Sequence, residues 1–287
     1  MSPCTILSRP HPAVWQISLA SPPDNRLSPS LLESLSADLD TVEGEWRRSG
    51  GGVSLNSKER GNHGGAGVLV LASSCQKFFS NGLDYEKAMA VPDFFENVFD
   101  PVMYRLLTFP LFTIAAINGH AFAAGMVMAL CCDYCIMTSG KGLFCMNEIT
   151  FGAPLPNSLS ALLKMKLPNP RDLRDTLLAR RWTQAELVKL GLVDEVVDDI
   201  REKSALVRRA VEIGIKEGPL VGPGSWGTIK VCCAVQSATS PNQEQEGIYH
   251  GVQDASRSHR PVRFPVQEAE AFWARGKHKG DAAKANL

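Results

Sequence analysis

The 287-residue sequence carries no excess charge of either sign, with 30 Lys and Arg set against 30 Asp and Glu. A dedicated nucleic-acid binder, which shows a basic face or stripe, is therefore not expected. The local basic clusters at residues 171–181 and 257–263 read as solvated surface or as partners for ligand phosphates. No secretory signal peptide is read at the N-terminus, so a disulfide framework is not expected from the eight cysteines. Cys132 and Cys135 have the two-residue spacing of metal and redox sites, but no second such pair and no histidine cluster completes a ligand set. Cys131, Cys132, Cys135 and Cys145 read instead as small buried hydrophobes, and no metal is expected. The apolar stretch at 111–137 lacks charged flanks and contains Asn118, Gly119, His120 and Asp133. It reads as a buried strand–turn–helix, and no membrane span is expected. Residues 49–67 are rich in glycine but precede a strand, whereas nucleotide loops follow one, so they read as a flexible surface insertion.

What the chain has is enough apolar material, 44% of residues, for one core and a smaller appended unit. The pattern predicts a strand over 13–19, a turn at Pro22-Pro23-Asp24-Asn25 and an amphipathic helix over 30–46. Further strands are predicted at 68–72 and 112–117. Helices follow at 172–181 and 183–190, the second opened by a Thr183/Glu186 capping box and stopped by Gly191. Beyond residue 200 the pattern turns helical, at 201–216, 226–235 and 264–276.

The most informative stretch is 142–156, where Glu148 is the one charged residue between Lys141 and Lys164. A carboxylate in apolar surroundings has its pKa raised by desolvation, toward the range useful to a general base. The alternative reading is a helix cap or a surface residue. Two segments upstream favour the first reading. Residues 68–85 and 111–137 each run from a strand into a glycine turn, at Asn81-Gly82 and at Asn118-Gly119. Backbone N–H groups left free at two such turns, converging on one oxygen, make an oxyanion hole.

The ordered set FFSNGLDY, AAINGHAFAAG with CCD, NEITFGAPLP and AELVKLGLVDEVV resembles the crotonase (enoyl-CoA hydratase/isomerase) superfamily over residues 15–197. Within it the likeness is strongest to the Δ3,Δ2-enoyl-CoA isomerases of eukaryotic peroxisomes. The resemblance implies an α/β fold, a spiral of ββα repeats over 1–200 carrying the acyl-CoA site. A helical C-terminal unit over 201–287 would pack subunits into a homotrimer.

Carried over by position, the resemblance gives the two oxyanion N–H groups to Leu83 and Ala124, and a one-residue shift would move the second to Ala123 or Gly125. Of the hydratases' two glutamates, the first falls at Val127, which cannot accept a proton, and the second at Glu148. The base of some other isomerases falls at Pro156, which cannot act either. One carboxylate remains, which suits a 1,3 proton shift from C2 to C4 of a 3-enoyl-CoA in fatty acid β-oxidation. Pro23, Asp24, Asn81, Gly82, Asp84 and Gly125 are the substrate-binding positions implied. Phe122, Met126, Phe151 and Leu155 line an acyl tunnel or belong to the core. No cofactor is implied, since coenzyme A is part of the substrate. The ending Lys284-Ala285-Asn286-Leu287 resembles a peroxisomal import signal read by a receptor, with a cytoplasmic or mitochondrial location as alternatives. Two further readings stay open: another crotonase reaction (weak hydration, dienoyl isomerisation or thioester hydrolysis), or a non-catalytic acyl-CoA-binding subunit.

Overall fold

The computed structural model describes residues 4–199, 202 and 204–238. Its frame is a six-stranded sheet in the order β1-β2-β3-β5-β7-β10. The strands are β1 (Thr5–His11), β2 (Val14–Leu19), β3 (Val68–Ser73), β5 (Phe112–Ile117), β7 (Tyr134–Thr138) and β10 (Glu195–Val197). Only β1 runs antiparallel to its neighbour. A second, four-stranded sheet has the order β4-β6-β8-β9, made of β4 (Phe78–Ser80), β6 (His120–Phe122), β8 (Leu143–Cys145) and β9 (Trp182–Thr183). Each long strand β3, β5 and β7 is followed by a short one, β4, β6 and β8, and then by helix. This is a mixed α/β spiral of ββα turns, and its consequence is positional. Because β4, β6 and β8 are parallel neighbours, the chain leaves all three at the same edge of the small sheet.

β3 shows why its sequence is continuously apolar. Val68, Val70 and Ala72 pack on one face, while Leu69 and Leu71 pack on the other, so neither side alternates with water. The larger core is closed by helix α1 (Pro29–Arg48), which buries Leu31, Leu32, Leu35, Leu39, Val42 and Trp46. Full burial of each aliphatic side chain contributes about 1.5–3 kcal/mol. Ser28 caps α1, its hydroxyl accepting the N–H of Leu31 at 3.2 Å. The other face of the large sheet is covered by helix α8 (Ala205–Glu217) through Leu206, Ala210 and Ile213. The expected helical region beyond 200 thus appears as α8 and α9 (Trp226–Ala238), whereas residues 264–276 and the tail 284–287 lie outside the described residues.

Helix α9 is fastened by a buried charge pair. The Asp133 carboxylate accepts from the Lys230 ammonium at 3.0 Å, the Trp226 indole N–H at 3.1 Å and the Thr113 amide at 2.9 Å. The two side chains are only 9% and 10% exposed, and burial pulls the Lys230 pKa down although the carboxylate opposes it. Asp133→Ala would leave that ammonium buried and unpaired, and is expected to lower unfolding free energy by about 3–5 kcal/mol. Urea denaturation of the two proteins measures it.

Three sequence expectations differ from the structure. Strand β1 was not expected. Helix α6 runs Pro170–Leu177, opened by the Asn169 cap and stopped short of 181. The glycine-rich tract is exposed over most of 53–63, as a surface insertion is, but its two ends are packed. A Cβ on Gly51 or Gly67 would lie 2.0 or 2.4 Å from the Trp46 ring, whose N–H donates to the Gly65 carbonyl at 2.8 Å. Those glycines make room for a buried indole. By contrast, α7 (Gln184–Leu190) carries the expected cap, the Glu186 carboxylate accepting the Thr183 N–H at 2.9 Å, and Gly191 ends it with φ 69°.

No helix among the described residues is long and apolar enough to cross a membrane.

Candidate active site

The first loop leaving the small-sheet edge is Asn81-Gly82-Leu83-Asp84, between β4 and α2 (Tyr85–Met89). Three of its four amides have acceptors. Asn81 N–H donates to the Asp24 carbonyl at 2.9 Å, Gly82 N–H to the Ser80 hydroxyl at 3.3 Å, and Asp84 N–H to the Leu27 carbonyl at 3.2 Å. Leu83 pairs with Leu27 in a parallel bridge through the flanking groups, Gly82 C=O and Asp84 N–H. Its own N–H therefore points to the opposite side. It finds no acceptor among the described residues.

The second loop joins β6 to α4 (Ala124–Leu130) through Ala123, which has φ 51°. Ala123 N–H donates to the Cys145 carbonyl at 2.7 Å and is not available to a ligand. Ala124 and Gly125 begin the helix, and neither N–H has an acceptor among the described residues, as the first turn of a helix requires. The two loops touch. An ideal Cβ on Gly82 would stand 2.8 Å from Ala123 Cβ and 3.5 Å from Ala124 N, and one on Gly125 would stand 2.5 Å from the Ser80 carbonyl oxygen. The glycines are what permit this approach.

The third segment follows β8. Glu148 opens a short 3₁₀ turn, Glu148–Phe151, three residues beyond the Cys145 whose carbonyl holds Ala123. The residue is half-buried, but its Oε2 is inaccessible and has no hydrogen-bond partner. Desolvation raises its pKa from the ordinary 4.5 to about 7, opposed by a hydrogen bond from its own backbone. Glu148 faces a cavity of about 410 Å³ lined by Met146, Ile149, Gly152, Ala153, Pro154, Leu155 and Leu177. Every other side chain there is apolar.

The remaining expected residues fall as follows. Asp24 meets the first loop directly, its carboxylate accepting from the Asn81 carboxamide at 2.8 Å and from Arg26 at 3.1 Å. It directly follows Pro23, and Asp84 pairs with Lys87 at 2.7 Å. Phe122 packs against the rings of Phe78 and His120, Met126 is wholly buried in the core, and Phe151 is 60% exposed. Of the four tunnel candidates, Leu155 lines the cavity. Val127 is buried in α4, and Pro156 immediately precedes α5 (Asn157–Lys166).

Sequence reasoning missed Leu177, which reaches the cavity from α6 and has no local signal. It also missed another carboxylate whose pKa is raised, Asp100 at the start of α3 (Asp100–Leu107). Burial raises the Asp100 pKa to about 6, while it accepts the Ser158 hydroxyl at 2.7 Å. Asp100 ties α3 to α5 and is outside the cavity lining. Cys131 and Cys135 are buried thiols, pushed up to about 12 by desolvation. Among the described residues no group of three or more His, Cys, Asp or Glu is placed to hold a metal ion.

Comparison with known proteins bears on this arrangement. The family model described as enoyl-CoA hydratase/isomerase matches residues 10–216. The chain is 36% identical over 160 residues to the peroxisomal enoyl-CoA delta isomerase 2 of Arabidopsis thaliana, covering 52% of this chain and 66% of that one. It is 30% identical over 199 residues to the mitochondrial enoyl-CoA delta isomerase 1 of Mus musculus, covering 67% of this chain and 62% of that one. The matched region thus spans slightly less than two thirds of either relative. Among solved structures, the apo form of an enoyl-CoA isomerase from Mycobacterium tuberculosis superposes with a TM-score of 0.67. It covers 90% of this chain and all of that one at 20% identity, a likeness of fold.

Proposed function

Since the chain belongs to the enoyl-CoA hydratase/isomerase family, we propose that it is an enoyl-CoA isomerase that converts 3-enoyl-CoA to trans-2-enoyl-CoA. The observation that carries this reading is Glu148, a carboxylate with one unpartnered oxygen in an otherwise apolar cavity lining, three residues beyond the Cys145 carbonyl that holds the second loop at Ala123. The thioester carbonyl oxygen would sit between the N–H groups of Leu83 and Ala124. Glu148 would take a proton from C2, leaving a dienolate whose charge rests on that oxygen. The resulting carboxylic acid would return the proton at C4, conjugating the double bond with the thioester. Each backbone donor is worth about 100- to 1000-fold in rate. A positioned base adds about 100- to 10,000-fold.

A carboxylate alone can serve both carbons because they lie on one allylic unit. Hydration would need a second group to orient water, and the position that would supply it holds Val127, apolar and buried. The Asn81-Gly82-Leu83-Asp84 loop, with Pro23, Asp24 and Gly125, would receive the coenzyme A portion. No separate cofactor enters the reaction. Peroxisomal location is part of the proposal, in keeping with the name of the Arabidopsis relative, although the mouse relative carries a mitochondrial one. Assembly into trimers is carried over from the family resemblance alone.

The test is to mix the purified protein with 3-enoyl-CoA and follow the absorbance of the conjugated thioester. Conversion is expected, with kcat/KM rising tenfold per pH unit below about 7 and levelling above it. Glu148 must be ionised to act, and its raised pKa places the limb there. A folded protein that binds acyl-CoA without converting it would turn the reading to a binding subunit.

A further inference from the structure

Ser80 is wholly buried at the end of β4, and its side chain touches both loops of the site. Its hydroxyl has a single proton, which it donates to the Asn25 carbonyl at 2.7 Å, and it accepts the Gly82 N–H at 3.3 Å. Gly125 packs onto it so closely that a Cβ there would stand 2.8 Å from Ser80 Cβ. Asn25 is itself fixed. It is wholly buried, its carboxamide donates to the Ser73 hydroxyl at 2.8 Å and the Phe79 carbonyl at 3.0 Å, and its Oδ1 accepts the Ser21 N–H at 2.8 Å.

We infer that Ser80 is a positioning residue, whose hydroxyl turns the Gly82 amide inward so that the adjacent Leu83 N–H is the one aimed at the substrate carbonyl. The reason is local geometry. The Gly82 and Leu83 N–H groups lie in neighbouring peptide planes joined at the Gly82 Cα, where φ is 86°, so holding the Gly82 N–H on Ser80 fixes one of the two planes that set the direction of the Leu83 N–H. The Gly82 carbonyl is held from the other direction by Leu27 N–H at 2.7 Å. Without the hydroxyl, the Gly82 amide has no acceptor in a buried place, and a rotation about the Gly82 backbone to find one strains the next peptide plane, which carries the Leu83 N–H. The same residue sets the spacing to the second loop, its carbonyl oxygen and Cβ packing onto Gly125. Ser80 touches no reacting atom. Its effect is on the aim of a donor, and misplacement by about 1 Å is enough to lower a rate roughly 100-fold.

The inference rests on the oxyanion reading of Leu83 and Ala124, and the test separates the two. Wild type, Ser80→Ala and Ser80→Cys are each given 2-enoyl-CoA labelled with ¹³C at the thioester carbonyl, and its C=O stretch is recorded by difference infrared spectroscopy. Turnover of 3-enoyl-CoA is measured alongside. Wild type is expected to lower the stretching frequency on binding. Both variants are expected to lose most of that shift and to fall by about 10- to 100-fold in kcat, with KM changed by no more than about threefold. Ser80→Cys keeps the side chain's size while weakening the acceptor, so it decides the matter if Ser80→Ala folds poorly. A full carbonyl shift in both variants would overturn the inference, whatever happens to their stability. A wild type that turns over 3-enoyl-CoA without any shift would overturn the oxyanion reading instead, and the role of Ser80 with it.

Discussion

Glu148→Gln is expected to slow isomerisation of 3-enoyl-CoA by about 100- to 10,000-fold while acyl-CoA binding stays near that of wild type. Glutamine fills the same space but cannot hold the proton between C2 and C4, and nothing else in the cavity lining can accept one. The same substitution carries a thermodynamic signature. Glu148 is a carboxylic acid whose folded pKa, about 7, lies above its ordinary 4.5. Between those two values the folded state binds more protons than the unfolded state. Stability therefore declines as pH rises through that window, and the loss is complete above 7. Glutamine has no such titration. The variant should match wild type near pH 4.5 and exceed it above pH 7 by on the order of 1–3 kcal/mol. Urea titrations at both ends of the range measure this. Activity lost together with stability gained is the mark of a group held in a costly place for chemistry. Activity retained would remove Glu148 from the mechanism.

Gly82→Ala is expected to reduce turnover by about 100-fold or more, through the approach of the two loops. The added methyl would meet Ala123 Cβ at 2.8 Å and the Phe122 carbonyl at 3.1 Å, and both belong to the segment that carries Ala124. Relief requires the loops to part, and parting separates the two N–H groups that the reaction needs together. The backbone also sits at φ 86°, where alanine is strained by about 1–3 kcal/mol. Gly191→Ala separates these effects. Gly191 has φ 69° with open space around the added methyl, at the end of α7. It should lose about 1 kcal/mol of stability and no activity. If the two alanine variants lose activity equally relative to stability, the contact between loops has no catalytic meaning. Steady-state kinetics and thermal melts on both variants give the comparison.

How much of this was legible depended on whether the information was local. The runs in β3 and β5 could be read as buried strands because both faces of each are covered, which leaves no polar alternation to find. The cap and stop of α7 lie within eight residues of each other and were equally plain. Strand β1 was hidden because it is a half-exposed edge strand that ends in Arg9-Pro10-His11, and proline is tolerated there only for want of an outer neighbour. The glycine-rich tract misled for a different reason. Glycine reads as freedom, but here it makes room for Trp46, and that indole lies outside the tract. In the site, Glu148 stood out from the absence of neighbouring charge. Which amides remain unused could not be read, since it depends on Leu27, Ser80 and Cys145 taking up the others. Leu177 was out of reach because its place in the cavity follows from the packing of α6.

The most direct test of the central claim, one carboxylate carrying one proton from C2 to C4, is to supply 3-enoyl-CoA deuterated at C2. The position of the label in the product is then read by NMR at early times. Deuterium at C4 of trans-2-enoyl-CoA, at a level that falls as turnover slows and the Glu148 acid exchanges with water, is the predicted result. A 3-hydroxyacyl-CoA product, or a C4 free of label at the earliest times with an undiminished rate in Glu148→Gln, would contradict it.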